Sequence, residues 1–180
     1  SSTSRGLGDV YKRQQPKELK DLEEFLVFHG ANSWNYLPPQ GVENQFQRLK
    51  AQTDGCFIAT EQSQIIGMAI YRSKGDIPCF FNHSFDHCQS IYVAEVVVHK
   101  EHNGKGIGSS LIASIANIAR ELGANSLAID RHEQNASSAG MMRKAGFVEL
   151  DCFADPARRS SGSKKTTTLC LHLKPTDDEL

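Results

Sequence analysis

The chain has no long apolar run and almost no net charge. None of its hydrophobic stretches approaches the roughly 18 residues that a membrane-spanning helix needs. Twenty basic and 21 acidic residues leave a net charge of −1, which offers no general attraction for nucleic acid or for an anionic membrane. We therefore expect neither nucleic acid nor a membrane among its partners.

The cysteines form no recognisable pattern. There are five, an odd number, and no two make a C-x-x-C pair. We therefore expect reduced thiols and a cytoplasmic location. Cys79, His83, His87 and Cys88 lie within ten residues, but they lack zinc-site spacing and flank the aromatic pair at 80–81, so we expect no metal.

Length and local pattern place one folded domain at residues 15–174. Residues 1–14, SSTSRGLGDVYKRQ, have neither helical nor strand period and look like translated sequencing adaptor. We expect this segment to be non-native and disordered. The acidic tail at 175–180 is also expected to be disordered.

Hydrophobic periodicity predicts an α/β (α+β) domain. Helix-like patterns occupy 16–29, 42–51, 111–122 and 136–145, and strand-like runs occupy 56–60, 65–71, 91–98, 127–130, 147–153 and 166–173. Between the last two strands, a basic stretch from Arg158 to Lys165 reads as a flexible loop. It either favours an anionic substrate or is a solvated turn, and we favour the turn.

The strand at 91–98 leads directly into Asn103-Gly104-Lys105-Gly106-Ile107-Gly108 and then into an amphipathic helix. Alternate glycines remove side chains and permit positive φ, so that backbone N–H groups can converge on an anion at the helix N-terminus. The segment predicts a phosphate cradle for a diphosphate-bearing cofactor. An ordinary tight turn is the alternative, but three alternate glycines exceed what a turn requires.

Two well-known glycine motifs do not fit this segment. A dinucleotide fingerprint needs glycine or alanine where the chain has Ser109 or Leu111. A P-loop needs serine or threonine after Gly-Lys, but Gly106 follows Lys105. The cradle therefore belongs to another class of phosphate site.

The segment resembles the acyl-CoA loop of the GCN5-related N-acetyltransferases (GNAT), Gln/Arg-x-x-Gly-x-Gly/Ala, with Asn103 in place of the usual Gln or Arg. Downstream, the stretch from Asn135 to Phe147, NASSAGMMRKAGF, is similar to the second GNAT signature, Asn-x-x-Ala-x-x-x-Tyr-x-Lys-x-Gly-Phe. The region from Tyr92 to Phe147, which carries both signatures, covers about a third of the chain. On this basis the chain is identified as a GNAT member.

The resemblance implies one GNAT-like domain, with a mixed, mostly antiparallel central sheet flanked by helices and splayed between strands 4 and 5. It also implies acetyl-CoA as cosubstrate and direct transfer of the acetyl group to a primary amine of a small molecule, peptide or protein. A homodimer is one assembly to consider. The family usually opens with a short strand, which we expect to be missing here because the helix-like pattern begins at Pro16.

The resemblance also implies a set of cofactor-binding residues. Backbone groups of Val96 and Val98 would pair with the pantetheine arm, and the Val97 N–H would polarise the thioester carbonyl. Lys105 either assists a phosphate or points into water. The full implied set is Val96, Val97, Val98, Asn103, Gly104, Lys105, Gly106, Ile107, Gly108, Ser109 and Asn135.

Glu95 is the one charged residue in the strand at 91–98. Period-2 alternation puts it on one face with Ile91, Val93 and Val97, where desolvation would raise its pKa towards the range of a general base. The alternative is a solvated or paired carboxylate. Because GNAT enzymes often place a base here, we favour a catalytic role.

Met142 departs from the family pattern. Many relatives have a tyrosine here that protonates the departing CoA thiolate, and a thioether has no proton to give. Ser138, a water or another tyrosine could substitute. Two alternatives to an active enzyme therefore remain, a non-catalytic acyl-CoA-binding module of the same fold and an ordinary α/β domain with an accidental glycine loop.

Overall fold

The computed structural model describes residues 12–13, 16–82 and 85–175, with side chains described from residue 17 onward. The helices are α1 (Leu19–Phe25), α2 (Pro39–Lys50), α3 (Ile107–Glu121) and α4 (Ala136–Ala145), and a π-helical turn, Leu26–Gly30, extends α1. The strands are β1 (Lys12–Arg13), β2 (Asp54–Glu61), β3 (Gln64–Arg72), β4 (Ser90–Val98), β5 (Ser126–His132), β6 (Val148–Ala154) and β7 (Lys165–His172). In this described part, no helix is both long and apolar enough to cross a membrane.

The strands form one sheet in the order β1-β2-β3-β4-β5-β7-β6. Every neighbouring pair is antiparallel except β4 and β5, which are parallel. That parallel pairing covers only Ser90–Tyr92 of β4 against Ser126–Ala128 of β5. The two strands then separate, which confirms the mixed, mostly antiparallel sheet that is splayed between strands 4 and 5.

Strand β1 departs from two expectations for the N-terminal segment. Lys12 pairs with Ile58 and Arg13 with Phe57, antiparallel to β2. The expected disorder is therefore wrong for these two residues, and a short strand stands where none was expected. Two residues are too few to show a period, and their pairing depends on the free backbone edge of β2. The rest of 1–14, and 176–180, lie outside the described residues.

The two faces of the sheet carry different helices. Helix α3 covers one face, where Leu111 and Ile115 are fully buried. A Cβ on Gly67 of β3 would lie only 2.7 Å from Ile107 Cγ2, so glycine permits the close approach of α3 to the sheet. Helices α1 and α2 cover the other face through Leu22 and Phe46. Burial of each such side chain contributes about 1.5–3 kcal/mol to the stability of the fold. The central strands are therefore held firmly between the helices.

A β-bulge interrupts β4 at Ala94. Glu95 pairs with Ile70 of β3, but the next paired residue towards the N-terminus is Val93, so Ala94 is the extra residue. Paired residues share a face of the sheet, and Ile70 packs with α1 and α2. Glu95 and Val97 therefore lie on the α1–α2 face.

The expected face of Glu95 is therefore partly wrong. Ile91 and Val93 belong to the apolar cluster beneath α3, on the opposite side of the sheet from Val97. Strict alternation failed because the inserted residue at the bulge shifts the side-chain period by one.

Candidate active site

A large cleft opens where β4 and β5 separate. Its volume is about 1220 Å³. Most of the predicted site residues line it, namely Glu95, Val96, Val97, Val98, Asn103, Gly104, Gly106, Ile107, Gly108, Ser109 and Asn135. Lys105 is exposed and is not among the lining residues. The tertiary structure thus brings the two signatures and the bulged strand around one cavity.

The glycine loop has the geometry of an anion cradle. Gly104 and Gly106 adopt φ of 77° and 81°, in the left-handed region that favours glycine. Gly106 is the N-cap of α3, whose first turn leaves N–H groups without intrahelical acceptors. A Cβ at either glycine would meet nothing within 4 Å. The loop therefore presents open space beside free donors, which fits the diphosphate of CoA.

Gly108 is needed for a different reason. It lies inside α3, and a Cβ there would approach Met141 Sδ of α4 to 2.6 Å. This third glycine permits helix packing, whereas the other two shape the loop. The alternate glycines therefore combine a binding function with a packing function.

The splayed edge of β4 forms one wall of the cleft. Beyond Tyr92, β4 pairs only with β3 among the strands that the structure describes. Its other edge carries backbone N–H and C=O groups that face the cleft instead of β5. This edge can accept an extended ligand as an added strand.

The pKa of the Glu95 carboxyl is raised to about 7. Burial is the main cause, and the negative charge of Asp130 adds to it. A side-chain hydrogen bond from Asn35 and the positive charge of Arg159 act in the opposite direction. At neutral pH, Glu95 is therefore divided between its acid and base forms, as a general base requires.

Asp130 lies in the part of β5 that is separated from β4, and its carboxylate accepts hydrogen bonds from three side chains. The Tyr92 hydroxyl donates to its Oδ1. Oδ2 accepts from Arg159 Nη2 at 2.6 Å and from Arg158 Nη1 at 3.2 Å. Burial, followed by the Asp130 charge, raises the pKa of Tyr92 well above its usual range, so its hydroxyl remains protonated. This network lies on the cleft wall beside Glu95.

The two arginines are fixed by further partners in the last hairpin. Arg158 Nε donates to Asp155 Oδ2 at 2.8 Å, and Arg159 Nε donates to Thr166 Oγ1 at 2.8 Å. The Thr166 hydroxyl donates in turn to Asp155 Oδ2 at 2.7 Å. The Arg158 guanidinium also lies 3.7 Å from the centroid of the Phe80 ring.

The expected solvated turn is therefore wrong for the arginines. Arg159 is buried and the Arg158 side chain is about one-third exposed, whereas Lys164 and Lys165 are exposed as expected. A sequence signal existed, because Asp130 is a lone carboxylate in an apolar strand and needs a cationic partner if it is buried.

The second signature contributes a helix cap and an apolar side chain. The Asn135 side-chain oxygen accepts from the Ser138 N–H at 3.1 Å, which confirms the predicted cap of α4. Met142 is buried against the cleft, and its sulfur lies 3.9 Å from Ser138 Oγ. No proton donor stands at position 142 itself.

The predicted absence of a metal concerns residues that are only partly described. His83 lies outside the described residues. Among the residues that are described, no group of three His, Cys, Asp or Glu side chains is arranged to hold a metal ion. All five cysteines are free thiols.

Residues 19–147 match the model of the acetyltransferase (GNAT) family. The chain belongs to the GNAT family. It is 34% identical over 135 residues to the L-amino acid N-acyltransferase MnaT of Escherichia coli (strain K12), a match that covers 72% of each protein.

Solved structures agree on the fold of this GNAT domain. The structure of yncA from Salmonella typhimurium with its cofactor acetyl-CoA superposes with a TM-score of 0.69 at 19% identity and covers 95% of this chain and 96% of that one. The ribosomal-protein-S18-alanine N-acetyltransferase of Escherichia coli gives a TM-score of 0.69 at 13% identity, with 95% and 97% covered. At these identities the structures show the fold alone.

The family match and the MnaT relative confirm the predicted function. The protein is an N-acetyltransferase that transfers an acetyl group from acetyl-CoA, its cosubstrate, to an amine. The alternative of an ordinary α/β domain with an accidental glycine loop is wrong.

Proposed function

We propose that this GNAT enzyme acetylates the α-amino group of a free amino acid, with Glu95 as general base. The observation that carries the proposal is a carboxyl with a pKa of about 7 in a cleft that is also lined by a partly exposed guanidinium, that of Arg158. MnaT, whose name describes an L-amino acid N-acyltransferase, supports this class of acceptor.

The cosubstrate would occupy the glycine loop and the splayed strand edge. Acetyl-CoA supplies the activated acetyl thioester. We assign its binding to Val96, Val97, Val98, Asn103, Gly104, Gly106, Ile107, Gly108, Ser109 and Asn135, which all line the cleft. Lys105 is exposed, so we propose that it acts on the diphosphate through its charge alone.

Glu95 would take a proton from the acceptor ammonium, directly or through one water, and so expose the nitrogen lone pair. The Val97 N–H does not face the cleft as predicted, because His99 N–H donates to the Ile66 carbonyl and Val97 pairs with Met68 in the same register of β3. The neighbouring Val96 N–H, on the free edge of β4, would donate to the oxyanion that develops on the thioester carbonyl. Holding amine and thioester together supplies much of the remaining rate enhancement. Both groups belong to β4, and the bulge at Ala94 places the Glu95 side chain on the α1–α2 face.

Arg158 is the candidate partner for the acceptor carboxylate. Its side chain is about one-third exposed and lines the cleft, whereas Arg159 is buried. The two arginines balance Asp130 and Asp155, so the charge of this cluster is close to zero. A zwitterionic amino acid fits this site, because it carries no net charge and has one group for each side chain. Its carboxylate can pair with Arg158 while its ammonium faces Glu95.

The departing thiolate needs little help. A free thiol has a pKa of about 8.5, so CoA can leave as a thiolate near neutral pH. The Ser138 hydroxyl lies next to the Met142 sulfur and is a neutral donor. It can donate a hydrogen bond to the sulfur of the departing CoA. We therefore propose that Met142 slows the reaction without abolishing it.

We also propose a cytoplasmic enzyme that binds neither nucleic acid nor a membrane, in view of its free thiols and its balanced charge.

A homodimer is the proposed assembly, supported by the exposed Val148 and Leu150 on the edge strand β6. Light scattering during gel filtration tests the dimer.

The full chain should be incubated with acetyl-CoA and each of the twenty amino acids, and the N-acetyl products quantified by mass spectrometry. Carboxamide analogues of the best acceptors test the role of the carboxylate. We expect amino acids to react and their amides to react at least about tenfold more slowly, since one charged hydrogen bond is worth about 1.5–3 kcal/mol.

Glu95→Gln should lose most of the activity, and Glu43→Gln, at an exposed site in α2, should retain it. Equal rates with acids and amides would refute the amino acid assignment. Binding of acetyl-CoA without turnover of any amine would instead favour the non-catalytic module.

A further inference from the structure

Two loops that contribute residues to the cleft contact each other. One spans residues 32–36, between the π-helical turn and α2, and the other spans residues 157–163, between β6 and β7. The Ser161 hydroxyl donates to the Ser33 carbonyl, and Arg159 Nη1 donates to the Trp34 carbonyl at 3.4 Å. We call this pair of loops the acceptor clasp.

The Trp34 ring fills the centre of the clasp. Its centroid lies 4.7 Å from that of the His132 ring, at an angle of 49°. A Cβ on Gly162 would lie 3.0 Å from Trp34 Cζ3, so the indole packs directly against the backbone of the opposite loop. Trp34 is half-buried and is the single tryptophan of the chain.

The segment that follows β5 holds the opposite loop in place. Gln134 Oε1 accepts from the Ser163 N–H at 2.8 Å. His132 Nδ1 accepts from the Gln134 N–H at 3.0 Å, so the neutral ring carries its proton on Nε2 and donates it to the Ser161 carbonyl at 2.9 Å. The clasp thus has hydrogen-bonding partners on the π-helical turn, on β5 and on β7.

The clasp lies beside Glu95 in the cleft. Asn35, within the clasp, hydrogen-bonds the Glu95 carboxyl, and Arg159, also within it, acts on the same carboxyl through its charge. Trp34, Asn35 and Arg159 all line the cavity. A peptide or protein acceptor needs an open path away from its reacting amine, and here two loops beside the cavity are hydrogen-bonded to each other.

We propose that the acceptor clasp is a size filter, with Trp34 as the specificity-determining residue that admits a single amino acid and excludes the N-terminus of a peptide. This inference rests on the proposed acylation of amino acids and adds a limit on acceptor length. Discrimination of a single methylene group in a pocket typically amounts to about 10–200-fold, and a peptide extends the acceptor by at least a whole residue, so this range sets the expected scale.

The test compares kcat/KM for the best free amino acid with kcat/KM for a dipeptide and a hexapeptide that begin with the same residue. Wild type should prefer the free amino acid by about 100-fold or more. Trp34→Ala should reduce that preference at least about tenfold, mainly by raising the rate with peptides.

Gly162→Ala tests the clasp from its other side. The new methyl would meet Gln134 Oε1 at 2.1 Å as well as the indole, and Gly162 has φ of 54°. This variant should also relax the preference. Phe28→Ala is the matched control, since Phe28 is 69% exposed on the π-helical turn and does not line the cleft. Its preference should equal that of wild type.

Trp34 fluorescence provides a readout that does not depend on turnover. Free amino acid, titrated in the presence of CoA, should change the emission of wild type, whereas the hexapeptide should not at the same concentration. Binding of the hexapeptide as tight as that of the amino acid, or an unchanged preference in both clasp variants with native thermal melts, would overturn the filter.

If wild type acetylates no amino acid, the proposed function fails. The filter is then tested with whichever amine reacts and with that amine extended by a glycyl residue on the side away from the reacting nitrogen. A wild-type enzyme that acetylates the extended amine equally well would overturn the filter separately.

Discussion

Arg159 Nη2 lies 2.6 Å from Asp130 Oδ2, although the two residues are 29 positions apart in the chain. Both side chains are less than 10% exposed. The pair joins β5 to the loop between β6 and β7, and the same guanidinium reaches the Trp34 carbonyl in the loop before α2. One buried cation therefore connects three segments that are separate in sequence.

Removing this cation should destabilise the protein. Arg159→Met keeps most of the side-chain volume but leaves Asp130 with only Arg158 as a charged partner, and breaking a buried pair typically costs about 3–5 kcal/mol. We expect a loss of about 2–4 kcal/mol in the free energy of unfolding, measured by urea denaturation. Arg120→Met, whose Nε donates to the Lys174 carbonyl at the surface, is the control and should change stability by less than about 1 kcal/mol. Equal effects would contradict the structural role of the pair.

Replacing the proposed base should reduce activity and increase stability at high pH. Glu95→Gln removes the group that accepts the proton, so kcat should fall by about 10²–10⁴-fold. The folded-state pKa of about 7 exceeds the usual 4.5, so the unfolded chain releases this proton at lower pH and Glu95 destabilises the fold progressively as pH rises from 4.5 through 7.

The stability of Glu95→Gln should therefore exceed that of wild type at pH 8 by up to about 3 kcal/mol and show little gain at pH 4.5. Urea denaturation at the two pH values measures this difference. The exposed Glu43→Gln should match wild type at both. A gain in stability that does not depend on pH would show that burial of the Glu95 charge is not its cause.

The pH profile of kcat/KM should report the same carboxyl. In wild type, activity should rise with pH through an apparent pKa of about 7, because the base form of Glu95 is required. The Asn35 hydrogen bond lowers that pKa, so Asn35→Ala should move the rising limb to higher pH.

Asn32→Ala is the matched control. Its side-chain amide donates to the Gly30 carbonyl, as that of Asn35 does, but Asn32 is not a partner of Glu95. Its rising limb should stay at the wild-type position even if the rate changes. If the rising limb of the pH profile moves in both variants, the change in pKa comes from a disturbed loop and not from loss of the Asn35 hydrogen bond.

Acetyl-CoA binding should depend on the open space at the glycine loop. Gly106→Glu places a side chain and a negative charge where the diphosphate is proposed to bind, so calorimetric titration should show the Kd for acetyl-CoA raised at least about tenfold, or 1.4 kcal/mol. Gly75→Glu is the control, since Gly75 has φ of 87° but lies away from the cleft. It should carry the same backbone strain and retain binding. Equal loss in both variants would point to strain alone.

The sequence by itself determined the features that depend on neighbouring residues. The strand, the glycine loop and the helix from Ser90 to Glu121 follow from period and from glycine conformation, which act over a few positions. The cap at Asn135 follows from local chemistry. A lone charge in an apolar strand predicts the direction of the Glu95 pKa shift, whereas the face that buries Glu95 and the added charge of Asp130 come from the tertiary structure. Two signatures in order were enough to identify the GNAT family.

Only the tertiary structure decided the bulge at Ala94, the partners of Asp130 and the acceptor clasp. The bulge depends on the register between β3 and β4, which no single strand contains. The Ser161 hydroxyl meets the Ser33 carbonyl across 128 positions, and Arg159 meets Trp34 across 125. Such contacts have no periodic signature, because they exist only after the sheet has brought distant loops to the same end of the cleft. The chemistry of the cofactor loop can therefore be predicted from the sequence, whereas the shape of the acceptor site depends on the tertiary fold.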